Sequence, residues 1–334
     1  MNRSDLDAFA AHYRLSAEAT DVVLDLTAAR PGAGELRLFL VRVLQLAGVL
    51  SLAAGLVFFI AANWQDMGVT GRFALIQGVI VVSVALALWK PPPHAAGRCA
   101  LLMAFIATGA LLALFGQTYQ TGADVYELFL TWALLGLAFV IAGQWSALSA
   151  AWLIVFNVAL LLFFGGRPGG GWLWAVFGPS RASESLELLV PVMLNLGLWA
   201  FAEFGNRARW PAFDARWVSG LALVCAFGFM TWTGIEALEP RSVDGFDVLA
   251  LFVVLALQAG LVIHAMRLRN DVFPVALTAA SLIAIVTYGL AAHCDFDELG
   301  IAFVLALWLT VSSTISGRVL MSLVRQWRHE EEAT

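Results

Sequence analysis

The side chains of this chain that could do chemistry fall into a few short groups. The largest is Phe115-Gly116-Gln117-Thr118-Tyr119-Gln120-Thr121-Gly122-Ala123-Asp124-Val125-Tyr126-Glu127, a run of amides, hydroxyls and acids with no positive charge. Two readings compete for it. In the first, Gly116 stops one helix, Asp124 caps the next and Glu127 completes a capping box, both acids being favoured by the positive end of the helix dipole. In the second, the backbone between Gly116 and Gly122 makes a tight excursion toward the bilayer. Gln117, Tyr119, Gln120 and Thr121 then line a small polar pocket, with Asp124 and Glu127 beside them, suited to a sugar, a lipid headgroup or a cation. Asn63 and Trp64 form a second candidate group for ligand binding, and a tryptophan at that place is also an ordinary interfacial anchor.

Other reactive residue types are scattered. His293-Cys294-Asp295-Phe296-Asp297-Glu298 collects metal-capable side chains, but its spacing fits no metal pattern, and acids there also suit a helix start. Cys99, Cys225 and Cys294 share no close spacing, so neither a zinc clasp nor a dithiol pair is indicated. No HExxH, GxSxG, Walker-type loop or GxGxxG opening a soluble helix occurs. The expectation is no catalytic residue, no metal and no cofactor.

The elements that hold these groups follow from composition. Of the 334 residues, 61% are hydrophobic and 13% charged, whereas soluble domains average about 45–50% apolar and roughly 25% charged. A water-facing surface cannot be built from so little charge. Ten stretches with almost no charge, 43–62, 72–89, 99–115, 127–143, 147–165, 186–204, 217–233, 248–266, 272–291 and 299–316, are each long enough to span a hydrocarbon core. The predicted fold is all-α, a polytopic transmembrane helical bundle; disorder, nucleic-acid binding and a secreted disulfide scaffold are excluded. Residues 1–37 read as a short cytoplasmic segment of two amphipathic helices, starting near Ser4 and Ser16 and ending at Pro31-Gly32. With 38–145 as the membrane region of spans one to four and 146–316 as that of spans five to ten, 317–334 is left as a cytoplasmic tail.

Threading follows from positive charge. With the N-terminus inside, fifteen Arg and Lys residues fall on the inner side and four, Arg72, Arg167, Arg181 and Arg241, on the outer. Both termini are therefore expected in the cytoplasm. Twelve acids fall on each side, which leaves the outer face at −8 and the inner at +3. Such an outer surface concentrates cations, although avoidance of Lys and Arg in translocated loops produces the same pattern. Eighteen arginines against Lys90 alone suggest a GC-rich coding genome and a bacterial inner membrane.

Within the spans, Asn157 and Asn195 lie at similar depth on consecutive helices and form a candidate structural polar pair. Pro191, one turn before Asn195, should bend the sixth span. Ala47, Ser51 and Gly55 recur every fourth residue and would let a neighbouring helix approach closely. No span carries an acid, Lys or Arg near its middle, which weighs against proton coupling.

"AANW" at 61–64 and "GQTYQTGADVYELFLTWALLGL" at 116–137 resemble the family of predicted bacterial membrane proteins defined by the domain of unknown function DUF2157, over about residues 1–145. The resemblance implies a membrane protein and carries no activity; similar proteins beside other membrane proteins suggest an assembly partner. The expected function is binding or passage of a small solute or lipid-like molecule through an outer polar site. The alternative is a non-transporting scaffold for other membrane proteins. The lipid bilayer is the expected partner, and nucleic acid is not.

Overall fold

The computed structural model describes residues 12, 16, 19, 33–120, 122–166, 184–204, 216–240, 245–294 and 298–333. Among these residues every regular element is a helix. In chain order the helices are α1 (Ala33–Ala62), α2 (Val69–Trp89), α3 (Ala95–Tyr119), α4 (Val125–Gly143), α5 (Ser146–Gly166), α6 (Leu189–Phe204), α7 (Arg216–Ala237), α8 (Gly245–His264), α9 (Val272–His293) and α10 (Glu298–Ala333). A single turn, Glu184–Glu187, precedes α6. Ten segments are long and apolar enough to cross a membrane. Of the two amphipathic helices expected in 1–37, the described residues include His12, which is helical, and the Ala19 N–H, which donates to Ser16 Oγ at 3.2 Å, the contact of an N-cap.

Several helices differ in extent from the apolar runs. α1 starts at Ala33, ahead of the charge-free stretch, and α10 continues without a break through 317–333. Its 36 residues extend to about 54 Å at ~1.5 Å per residue, well beyond a hydrocarbon core of ~30 Å. α3 does not stop at Gly116, as one reading of the loop required. It runs to Tyr119, and the stop falls at Gln120, in the left-handed region at φ 43°, with its N–H bonded to Gly116 O at 3.0 Å. A glycine inside a helix costs only about 1 kcal/mol, and neighbouring apolar residues outweigh that when the solvent is lipid. Asp124 does occupy the N-cap position of α4 but makes no side-chain capping bond. The reciprocal capping box is therefore not formed.

The chain divides into two compact units, Met1–Leu114 and Phe115–Thr334. In the first, α1, α2 and α3 share a core of Ile60, Ile76, Ala107 and Leu114. Gly97, in the first turn of α3, lies against the Lys90 carbonyl, where a Cβ would overlap backbone. In the second unit α7 is central and packs on α5, α6, α8 and α9, while α4 pairs with α5 and α9 with α10. Leu223, Ala226, Phe227 and Met230 of α7 form the middle of that core with Val192 and Val254. Burial alone does not fix helix positions in lipid, so close approach and hydrogen bonds must. Gly234 lets α7 touch α9, since a Cβ there would stand 2.5 Å from Ile285 Cδ1 and 2.9 Å from its Cγ1. Trp152 Nε1 donates to Ala133 O at 2.8 Å, tying α5 to α4.

Candidate functional site

The polar segment between α3 and α4 lies on the end of one helix and the start of the next. Gln117 and Tyr119 lie in the last turns of α3 rather than in an excursion of backbone. Gln117, Tyr119, Gln120, Asp124 and Glu127 are all exposed, and Thr121 lies outside the described residues. Tyr119 stacks obliquely on Phe115, and the Tyr126 hydroxyl donates to Glu127 Oε1 at 3.4 Å. The stretch stays helical because its amides are compatible with the last helical turns, whose side chains can face outward while the backbone keeps its bonds.

Asn63 and Trp64 sit in the turn that links α1 to α2. The Asn63 side chain donates to Phe59 O at 2.8 Å, which closes the last turn of α1. Arg72, in the first turn of α2, is the neighbour that sequence position did not suggest. It is only 9% exposed, donates through Nη2 to Trp64 O, and holds its guanidinium 3.7 Å from the centre of the Trp64 ring. Its Nε is buried without a partner.

Asn157 and Asn195 face each other across α5 and α6. Asn157 Nδ2 donates to Asn195 Oδ1 at 3.0 Å, and Asn195 Nδ2 donates to Asn157 Oδ1 at 2.8 Å. Each amide also donates to a carbonyl one turn back, Leu153 O and Pro191 O, at 2.9 and 3.0 Å. The helical path breaks at Leu188, just ahead of Pro191, which lacks an N–H for the preceding turn. A second polar junction joins α7, α8 and α9: Thr231 Oγ1 and Gln258 Nε2 both donate to Ser281 Oγ, at 2.7 and 2.8 Å.

A cavity of about 750 Å³ lies in the second unit, where the ends of α6, α7, α8 and α9 come together. Its geometry begins with the reversal after α8. At His264 the α-helix widens into a π-turn, Ala265–Arg269, and Asn270 leaves it in the left-handed region at φ 49°, a conformation asparagine tolerates better than most residues. Asp271 then caps α9, its Oδ1 accepting from the Phe273 N–H at 2.9 Å. Pro274 follows in the first turn, where no backbone donor is required. π-turns recur at functional sites, because the extra residue re-aims side chains.

Charge and aromatic surface meet in this cavity. Arg269 forms an ion pair with Glu203 of α6, the two side chains being 39% and 17% exposed. The His264 ring stands edge-on to Trp199 and Phe204, with centroids 5.6 Å from each, and its Nε2 is buried without a partner. Trp199, Trp217 and Phe273 supply apolar wall. Arg216 lies at the rim, exposed and making no ion pair among the described residues. Both acids are thus engaged, Glu203 by Arg269 and Asp271 by its helix cap, and the positive charge of Arg216 is left over. The aromatic rings and the charged rim would suit an apolar body with a polar head, and the volume falls in the ~300–1,000 Å³ range of small-molecule sites.

Comparison with known proteins gives one result that bears on these places. Residues 6–149 match the DUF2157 family, described as a predicted membrane protein. No curated protein and no solved structure matches the chain. The DUF2157 region contains the Asn63–Arg72 turn and the whole Gln117–Glu127 loop; the cavity at α6–α9 lies beyond it. Among the described residues no group of His, Cys, Asp and Glu could hold a metal, and Asp295–Asp297 of the six-residue run His293–Glu298 lie outside them. Sequence reasoning missed the cavity because its walls come from four separate helix ends. The usable signal was local: Arg-Leu-Arg-Asn-Asp-Val-Phe-Pro at 267–274 is a helix stop followed at once by a cap and a helix start.

Proposed function

We propose that the second unit binds a lipid-like amphiphile in the cavity framed by α6, α7, α8 and α9. The observation that carries this reading is the pairing of aromatic walls with a charged rim at one end of membrane-length helices. Binding of a ligand there, rather than at the outer polar loop, fits the exposed state of Gln117, Tyr119 and Gln120. The chain would sit in a bacterial inner membrane with both termini cytoplasmic, as its fifteen inner and four outer basic residues favour. The cavity, rimmed by Arg216 and Arg269, then opens at the cytoplasmic leaflet. The test is native mass spectrometry of the full chain extracted in mild detergent. A bound amphiphile should be retained by the wild type and expelled by Gly220→Trp, which fills the space beside Phe273; identical retention by both would contradict the reading.

One observation favours a second reading, a scaffold for membrane partners. Ala47, Ser51 and Gly55 of α1 are all exposed, and a Cβ on Gly55 would meet nothing within 4 Å. The small-residue stripe is therefore uncovered. Crosslinking through Ser51→Cys in native membranes should then capture a partner helix, and exclusively uncrosslinked chain would dismiss this alternative.

A further inference from the structure

We infer that the turn between α1 and α2 seats a phosphate-type anion on Arg72 and the first turn of α2. Three features converge there, all within the first unit and independent of the cavity. First, α2 is a 21-residue helix whose opening turn contains no acid and whose N-cap, Gly68, offers no side-chain bond. Its first N–H groups have no intrahelical acceptors and carry the positive end of the dipole. Second, Arg72 adds a full positive charge to that same turn although it is 9% exposed, and among the described residues no carboxylate pairs with it. Asp66, the nearest acid in sequence, is exposed and makes no ion pair with it. Third, Arg72 Nε is buried without a partner even though Nη2 is bonded to Trp64 O.

A guanidinium removed from water and left without an anion is costly, and a cation stacked on an aromatic face recovers only part of that cost. The positive end of the helix adds to the deficit rather than relieving it. A tetrahedral oxyanion removes it: its oxygens accept from the guanidinium N–H groups and from the free backbone N–H groups together. Trp64 fixes the depth, since tryptophan settles at the headgroup layer of a bilayer. The phosphate of a lipid lies at that level, and inorganic phosphate would satisfy the same donors.

Thermal unfolding of the purified full chain, in detergent micelles with dioleoylphosphatidylglycerol, dioleoylphosphatidylcholine or inorganic phosphate added, tests this. Phosphatidylglycerol should raise the midpoint of the wild type more than phosphatidylcholine does, and the apparent affinity for it should fall at least tenfold in Arg72→Gln. Thr70→Glu, which places a carboxylate in the exposed first turn of α2, should abolish the same response while leaving the unfolding midpoint in phosphatidylcholine at least as high. That second variant keeps the test decisive if Arg72→Gln does not fold. A response to phosphatidylglycerol alone assigns the anion to lipid, and an equal response to inorganic phosphate assigns it to a soluble source. A phosphatidylglycerol response that survives unchanged in Thr70→Glu, or in a folded Arg72→Gln, overturns the site.

Discussion

At the scale of single residues, Asn157 and Asn195 satisfy one another nearly as fully as two amides in hydrocarbon can. Each donates to the other's carbonyl and to a backbone carbonyl of its own helix. Replacing one leaves its partner's Oδ1 without a donor, so Asn195→Ala should cost about 1–2 kcal/mol, and a double-mutant cycle should return coupling of about 0.6–1.7 kcal/mol. Strict additivity of the two single changes would show that the bonds do not form. Gly234 poses the opposite problem of space. Gly234→Ala should destabilise by about 1–3 kcal/mol through overlap with Ile285, and Ile285→Ala in the same chain should recover most of the loss. Unfolding in mixed micelles measures both.

At the scale of elements, the charge-free runs of the sequence locate all ten helices, because hydrocarbon excludes charge more strictly than water excludes apolar groups. The depth of Asn157 and Asn195 was legible in the same way, by counting residues inward from a shared end. The end of α3 was not. Gly116 looks like a stop by the rules for water-soluble helices, yet the helix passes through it and ends in a left-handed Gln120. Left-handed backbone costs a side chain about 1 kcal/mol that glycine avoids. Gln120→Gly should therefore raise stability by about 0.5–1 kcal/mol in equilibrium unfolding; a loss of stability would mean that the Gln120 side chain makes a compensating contact. The burial of Arg72 was hidden for a related reason. Counted as a loop cation, it belongs to the first turn of α2, where a helical side chain reaches back over the preceding turn and onto Trp64.

At the scale of the whole molecule, ten apolar helices and a skewed distribution of arginine argue for one threading. In cells carrying a cysteine-free background, Asp124→Cys should react with a membrane-impermeant maleimide from outside, and Arg269→Cys should react only after permeabilisation. The reverse pattern would invert the topology and move the α6–α9 cavity to the opposite leaflet. The cavity itself was not legible, since Trp199, Arg216, His264 and Phe273 share no motif and meet only once four helices pack. What the sequence did show was the reversal at 267–274 that forms one of its walls.

The central claim, that this cavity holds an amphiphile, is tested most directly by a high-resolution cryo-electron microscopy map of the full chain in nanodiscs of native lipid. The expected result is elongated non-protein density between Trp199, Trp217 and Phe273 with its polar end toward Arg216. A chamber closed by the chain's own side chains, with α7 and α9 packed directly together along that length, would contradict it.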